Sequence, residues 1–320
     1  MTSVEPRPRL LCIAPNPSID RLAQVGRLEP GAIHRPTDVV AVAGGKGLNV
    51  ARAARHLGLP VEVVALLGGH AGRWIAAQLE RLEIPHRAAW VSGETRTCIS
   101  VLDGSTGRLT EFYEPGPAVT AGAWRRFSAL ADRATAAMPR GSIVAISGSF
   151  PPQVARNAAA RLVASARAAG ARVLLDTSGQ QLENALAATP YLVKVSAAEA
   201  AAVAGRSVES DAEALAAARL LVAGGAECAI VTRGADGAVG WDGASGWAIG
   251  APPGGLYAVG SGDAFLAGLA GGLLAGETLD RSLRRAAGAA AANTLVAGPG
   301  ELDPARAAEL GAVAPVRRIA

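Results

Sequence analysis

Short, almost wholly apolar runs alternate along this chain with longer stretches whose apolar positions recur at helical spacing. Leu10–Ala14, Val61–Leu67, Ile143–Ser147, Val173–Asp176, Leu192–Val195 and Cys228–Thr232 are largely continuous apolar runs, the pattern of strands buried on both faces. Helical periodicity follows most of them, over 48–57, 71–83, 153–169, 180–188, 197–204 and 211–223, and returns from about Ala264 to Ala275. This alternation predicts a doubly wound α/β domain with a mostly parallel central sheet. Ligands of such a domain gather at the carboxyl ends of the strands.

Two regions break the rhythm. Residues 18–43 and 86–115 lack a helical period and carry turn signals at Pro30-Gly31 and Asp103-Gly104. Thr97–Leu102 and Leu109–Glu114 alternate as the half-exposed strands of a hairpin. Together they predict a small projecting β-sheet lid, whose apolar face must cover a substrate or a second subunit. Val313–Ala320 reads as a loose tail. No internal repeat or linker divides the chain, so residues 1–320 read as one domain.

Composition excludes some functions. Half of the 320 residues are apolar, enough for a sizeable core, and the net charge of +4 comes from scattered arginines. Without a basic run, nucleic acid is not an expected partner. Cys12, Cys98 and Cys228 are odd in number and lack metal spacing, as for free thiols of a reducing compartment. Met1 to Arg9 has no apolar core of a signal peptide, and the longest apolar run, Ala264 to Gly276, is too short to span a bilayer. These features predict a cytoplasmic protein with no membrane partner.

The candidate chemistry concentrates at Val259-Gly260-Ser261-Gly262-Asp263, which opens the Ala264 helix. Unpaired N–H groups at a helix start bind anions, and glycine lets a phosphate approach the backbone. A carboxylate there suits proton removal from an attacking hydroxyl, although Asp could also serve as a plain N-cap. Gly44-Gly45-Lys46-Gly47-Leu48-Asn49 forms a second glycine-rich helix start. Its spacing is not that of a Walker A loop, and Val61–Leu67 ends in Gly68-Gly69 without the acid that a dinucleotide ribose requires. Asn49 and backbone amides could hold sugar hydroxyls, and Lys46 a phosphate. Asp20 could accept hydrogen bonds from two neighbouring hydroxyls. Arg96 offers a planar fork for a phosphate. Ser147-Gly148-Ser149 either lines the same cleft or makes a turn. Glu199 could orient hydrated Mg2+ or simply cap its helix dipole.

The order and joint presence of these motifs resemble the phosphofructokinase B (ribokinase-like) family of sugar kinases over nearly the whole chain. Asn16-Pro17-Ser18-Ile19-Asp20, Gly93-Glu94-Thr95-Arg96 and Leu192-Val193-Lys194 point to its tagatose-6-phosphate kinase and 1-phosphofructokinase branch. The resemblance implies an ATP-dependent kinase acting on tagatose 6-phosphate, fructose 1-phosphate or fructose 6-phosphate. Asp263 would be the base and Gly260, Ser261 and Gly262 the anion hole. Asp20, Gly44, Gly45, Asn49 and Ser147 would hold the sugar, with Lys46, Arg96 and Arg35 on its phosphate. Lys194, Ser196, Glu199, Thr232, Gly234, Gly237 and Asn293 would frame Mg-ATP, with Glu199 reaching Mg2+ through water. The fold implied is ribokinase-like, with a lid that often clasps a second copy into a homodimer. The chain departs from the family pattern at two places: Val195-Ser196 replaces Pro-Asn, and Cys98 stands where several relatives carry asparagine. A kinase of an unphosphorylated sugar or nucleoside and a non-catalytic sugar sensor are the alternatives.

Overall fold

The computed structural model describes residues 7–320; most of the Met1–Arg9 segment lies outside them. The chain begins with β1 (Leu10–Ala14), β2 (Ser18–Val25), β3 (Asp38–Gly44), α1 (Lys46–His56), β4 (Val61–Gly68), α2 (Gly69–Arg81), β5 (His86–Val91), β6 (Arg96–Asp103) and β7 (Arg108–Tyr113). It continues through α3 (Ala121–Ala136), β8 (Ile143–Ser147), α4 (Ala158–Ala168), β9 (Arg172–Asp176), α5 (Gly179–Leu186), β10 (Leu192–Ser196), α6 (Ala197–Ala204) and α7 (Asp211–Ala223). The last part holds β11 (Cys228–Thr232), β12 (Ala238–Trp241), β13 (Gly246–Ile249), α8 (Ser261–Leu274), α9 (Leu279–Asn293), α10 (Pro304–Val313) and β14 (Val316–Arg318).

Ten strands form the central sheet in the order β14-β13-β12-β11-β10-β9-β8-β1-β4-β5. Pairing is parallel from β5 to β11 and antiparallel from there to β14. Alternate residues of each strand enter different cores. Leu10, Cys12 and Ala14 pack with α1, α8, α9 and α10, whereas Leu11 and Ile13 pack with α3, α4 and α7. Burial on both faces explains why these strands read as continuous apolar runs. The architecture is the expected doubly wound, mostly parallel sheet flanked by helices, with a smaller second sheet.

The small sheet has the order β3-β2-β6-β7. It is narrower than the sequence suggested, because β5 (His86–Val91) pairs parallel with β4 at the edge of the large sheet. The tail is also corrected: Val316–Arg318 pairs antiparallel with β13 and closes the other edge. Its Val-Arg-Arg sequence gave no apolar period, since an edge strand needs pairing and little burial. The expected 153–169 helix begins only at Ala158. The pattern did not mark α3, α9 or α10.

Candidate active site

The chain passes from β1 to β4 on one side and to β8 on the other, so the carboxyl end of β1 lies at a topological switch point. There a cavity of about 1200 Å3 opens between the large sheet and the lid. Its walls include Asp20, Cys98 and Tyr113 from the lid, Lys46 and Asn49 from α1 with the N-cap Gly45, and Ser261 to Asp263 from α8 with the N-cap Gly260. Such crevices are where open α/β sheets bind ligands.

The α8 terminus is built for an anion. Gly260 is its N-cap with φ +82°, a left-handed conformation that favours glycine. A Cβ there would also meet Pro299 Cα at 2.6 Å. The Ser261 N–H donates to Ala258 O, which narrows the expected anion hole to Gly260 and Gly262. Neither of those two N–H groups has an acceptor among the described residues.

Asp263 is 6 % exposed, and its Oδ2 accepts from Asn49 Nδ2 at 2.9 Å. Burial and then the Asp176 charge push its carboxyl up to about 7, against Lys194, Lys46 and the Asn49 hydrogen bond. A carboxyl poised there can take a proton near neutral pH and release it again.

Asp176 was not singled out from sequence, yet it organises the charges. It ends β9, fully buried, and accepts from Lys46 Nζ at 2.7 Å and Lys194 Nζ at 2.8 Å. Burial would raise its carboxyl, but the two ammonium groups outweigh that and hold it down to about 2. Lys46 also lies 3.2 Å from Glu199 Oε1. Burial opposes its charge, but Asp176, Glu199 and Asp263 raise its pKa. Lys46 therefore aims at Asp176 at the end of β9 and Glu199 on α6. That differs from its expected place beside Arg96 on a sugar phosphate.

On the lid side of the cavity, Asp20 accepts from Ser18 Oγ at 2.5 Å, Gly45 N at 3.0 Å and Asn49 Nδ2 at 3.4 Å. Gly44 does not line the cavity; a Cβ on it would overlap the Asp20 carboxyl carbon at 2.1 Å. Arg96 lines the cavity, and its guanidinium donates to Asn16 O and Glu114 O.

Three further residues expected at the site do not line the cavity. Arg35 is exposed on the β2–β3 loop, outside the cavity lining. Ser147 is buried below it, and Gly148 and Ser149 line the wall instead. Asn293 does not line the cavity either. It donates to Val259 O at 3.0 Å and accepts from Gly300 N at 2.7 Å, bracing the loop before α8.

Of the residues expected to frame the nucleotide, Lys194, Ser196, Glu199, Thr232, Gly234 and Gly237 line the cavity. Ser196 is tied up as the N-cap of α6, in a capping box with Glu199. Gly237 has φ +87°, and a Cβ on it would meet Ile249 O at 1.9 Å.

A profile described as pfkB family carbohydrate kinase matches residues 13–306. The chain belongs to this family. It is an ATP-dependent sugar kinase by that membership. It is 38% identical to a 1-phosphofructokinase of Xanthomonas campestris pv. campestris over 266 residues, 81% of this chain and 82% of the relative. A 1-phosphofructokinase of Rhodobacter capsulatus is 36% identical, with 82% of each chain covered. Among solved structures, Escherichia coli phosphofructokinase-2 in complex with substrates and products matches with a TM-score of 0.86. That likeness covers 96% of this chain and 99% of the other at 28% identity.

Proposed function

We propose that this kinase transfers the γ-phosphate of ATP to the free primary hydroxyl of a ketohexose phosphate, with fructose 1-phosphate preferred over tagatose 6-phosphate. The observation that carries the chemistry is the Asp263 carboxyl beside the unpaired Gly260 and Gly262 N–H groups. The 36–38% identity to two 1-phosphofructokinases supports the substrate.

Asp20, Gly45 and Asn49 hold the sugar hydroxyls, and Arg96 engages the phosphate already present. Asp263 removes the proton from the attacking oxygen through Oδ1, since Oδ2 is held by Asn49. The oxygen attacks the γ-phosphorus in line, and the bond to the β-phosphate oxygen breaks to leave ADP. Gly260 and Gly262 donate to the moving phosphoryl, while Lys46 and Lys194 offset its charge. Such donors act mainly by preorganised electrostatics.

Mg2+ fits as a companion of ATP. Among the described residues no three His, Cys, Asp or Glu side chains form an ion cage. Phosphate oxygens and water would supply most ligands, with Glu199 accepting through water. When bound, the ion neutralises phosphate charge.

The outer face of the lid carries Val39, Ile99 and Phe112, 53%, 39% and 58% exposed. We take this face to meet a second copy of the chain. Light scattering should give a dimer mass for the wild type and a monomer mass for Ile99→Asp/Phe112→Asp. Among the described residues no helix is long and apolar enough to cross a membrane, and the proposed site of action is the cytoplasm.

A coupled ADP-release assay over fructose 1-phosphate, fructose 6-phosphate, tagatose 6-phosphate, fructose and ribose tests the reading. Fructose 1-phosphate should give the highest kcat/KM, and Arg96→Ala should raise its KM. A free sugar as the best substrate, unaffected by Arg96→Ala, would overturn it.

A further inference from the structure

We propose that Arg52 is a positioning residue for phosphoryl transfer, locking the Asn49 amide so that its N–H2 end faces the Asp263 and Asp20 carboxylates. Arg52 lies on α1 one turn beyond Asn49, is 2 % exposed and does not line the cavity. Its Nη1 donates to Asn49 Oδ1 at 3.4 Å and to Pro299 O at 2.6 Å, and its Nη2 to Ala43 O. Its Nε stands 3.3 Å from Glu301 Oε1.

The two ends of an asparagine amide are unlike: the oxygen only accepts hydrogen bonds and the N–H2 only donates them. A half-turn exchanges its acceptor oxygen for its donor nitrogen. Guanidinium has donors only, so the end of Asn49 that faces Arg52 must be Oδ1. Nδ2 is then directed at Asp263 Oδ2, 2.9 Å away, and Asp20 Oδ2, 3.4 Å away. In the opposite orientation the amide oxygen would face two carboxylates and the N–H2 would face a cation. The two carboxylates and Arg52 favour the same orientation, and Arg52 holds its Oδ1 end.

The same side chain sets the distance between the two helix starts. Pro299 and Gly300 form the turn against which Gly260 packs, and a Cβ on Gly300 would meet Asn49 O at 2.6 Å. By holding Pro299 O and Asn49 Oδ1 on one nitrogen, Arg52 joins the sugar side to the anion hole. A guanidinium is expensive to bury, and this one is supplied with three oxygens and a carboxylate. Other charged groups facing Asp263 are Lys46 from α1, Asp176 from β9 and Lys194 from β10. Arg52 touches none of the reacting atoms; it acts through Asn49.

The inference rests on Asp263 as the base. Its test is a double-mutant cycle of Arg52→Lys and Asn49→Ala, with kcat measured on whichever sugar the wild type uses best. Lysine keeps the charge but cannot serve four acceptors in a plane. Each single variant should lose roughly 10- to 100-fold in kcat, and the double variant no more than about threefold beyond Asn49→Ala. The acid limb of the kcat–pH profile should also move upward in Arg52→Lys, which a purely structural role would not produce. ATP binding by calorimetry and a cooperative melt establish folding; should Arg52→Lys fail them, Arg52→Gln enters the same cycle. Losses that multiply in the double variant, or a folded variant with near wild-type kcat and pH profile, would overturn the inference. Either result with an active wild type leaves the substrate assignment intact, because the sugar panel tests that separately.

Discussion

Replacing Asp263 by asparagine should stabilise the protein, and by an amount that depends on pH. The carboxyl stands at about 7 in the folded chain against an ordinary 3.8, raised chiefly by burial. A raised carboxyl favours the folded state while it is protonated. That contribution is complete below about pH 4 and is lost as pH rises through about 7. Three units at about 1.36 kcal/mol each set a ceiling of about 4 kcal/mol once both states are ionised. At pH 5 the unfolded chain has already ionised, so somewhat over a third of this loss, about 1.5 kcal/mol, is in place. Asparagine cannot titrate. The advantage of Asp263→Asn over wild type should therefore grow by on the order of 2 kcal/mol between pH 5 and pH 8. Urea unfolding of both proteins at pH 5, 6.5 and 8 measures the gap directly. A gap that is constant over this range, or wider at pH 5, refutes the claim that a strained charge sits at this helix start.

Two other substitutions probe separate parts of the site. Lys194 lowers the Asp263 carboxyl and sits 2.8 Å from Asp176, so Lys194→Met should move the acid limb of kcat upward from about pH 7. The shift should be roughly one unit, and a pH–rate profile at saturating substrates reads it. Gly44→Ala would place a Cβ 2.1 Å from the Asp20 carboxyl carbon, displacing the group proposed to accept the sugar hydroxyls. The KM for sugar should rise roughly tenfold or more, about 1.4 kcal/mol, while that for ATP stays within about twofold; initial-rate kinetics separate the two.

Much of the fold was legible because burial on both faces leaves an unambiguous apolar run. β5 and β14 were not. His86–Val91 mixes His, Arg and Trp with small residues, since an edge strand buries few of its side chains, and it read as part of the lid. Gly45, Asn49 and Asp263, which line the cavity, stood out because glycines mark their helix starts, and Asp20, also in the lining, because it follows directly after the first strand. Asp176 was not, because it simply ends an apolar strand. Its importance comes from lysines 130 and 18 positions away in sequence. Arg52 was hidden for the same reason: nothing within α1 distinguishes it from a surface arginine, and its acceptors come from Ala43, Pro299 and Glu301. The direction of Lys46 likewise follows from Asp176, which local sequence could not supply. Asn293 looked like a ligand-facing amide and instead braces the backbone before α8.

The proposed role of Asp263 is to take the proton from the sugar hydroxyl. Its most direct test is the turnover of Asp263→Asn at saturating ATP and fructose 1-phosphate, alongside the affinity for each. We expect kcat to fall by about 10²–10⁴, with both substrates bound within a few-fold of wild type. An Asp263→Asn enzyme that turns over at close to the wild-type rate would contradict the assignment.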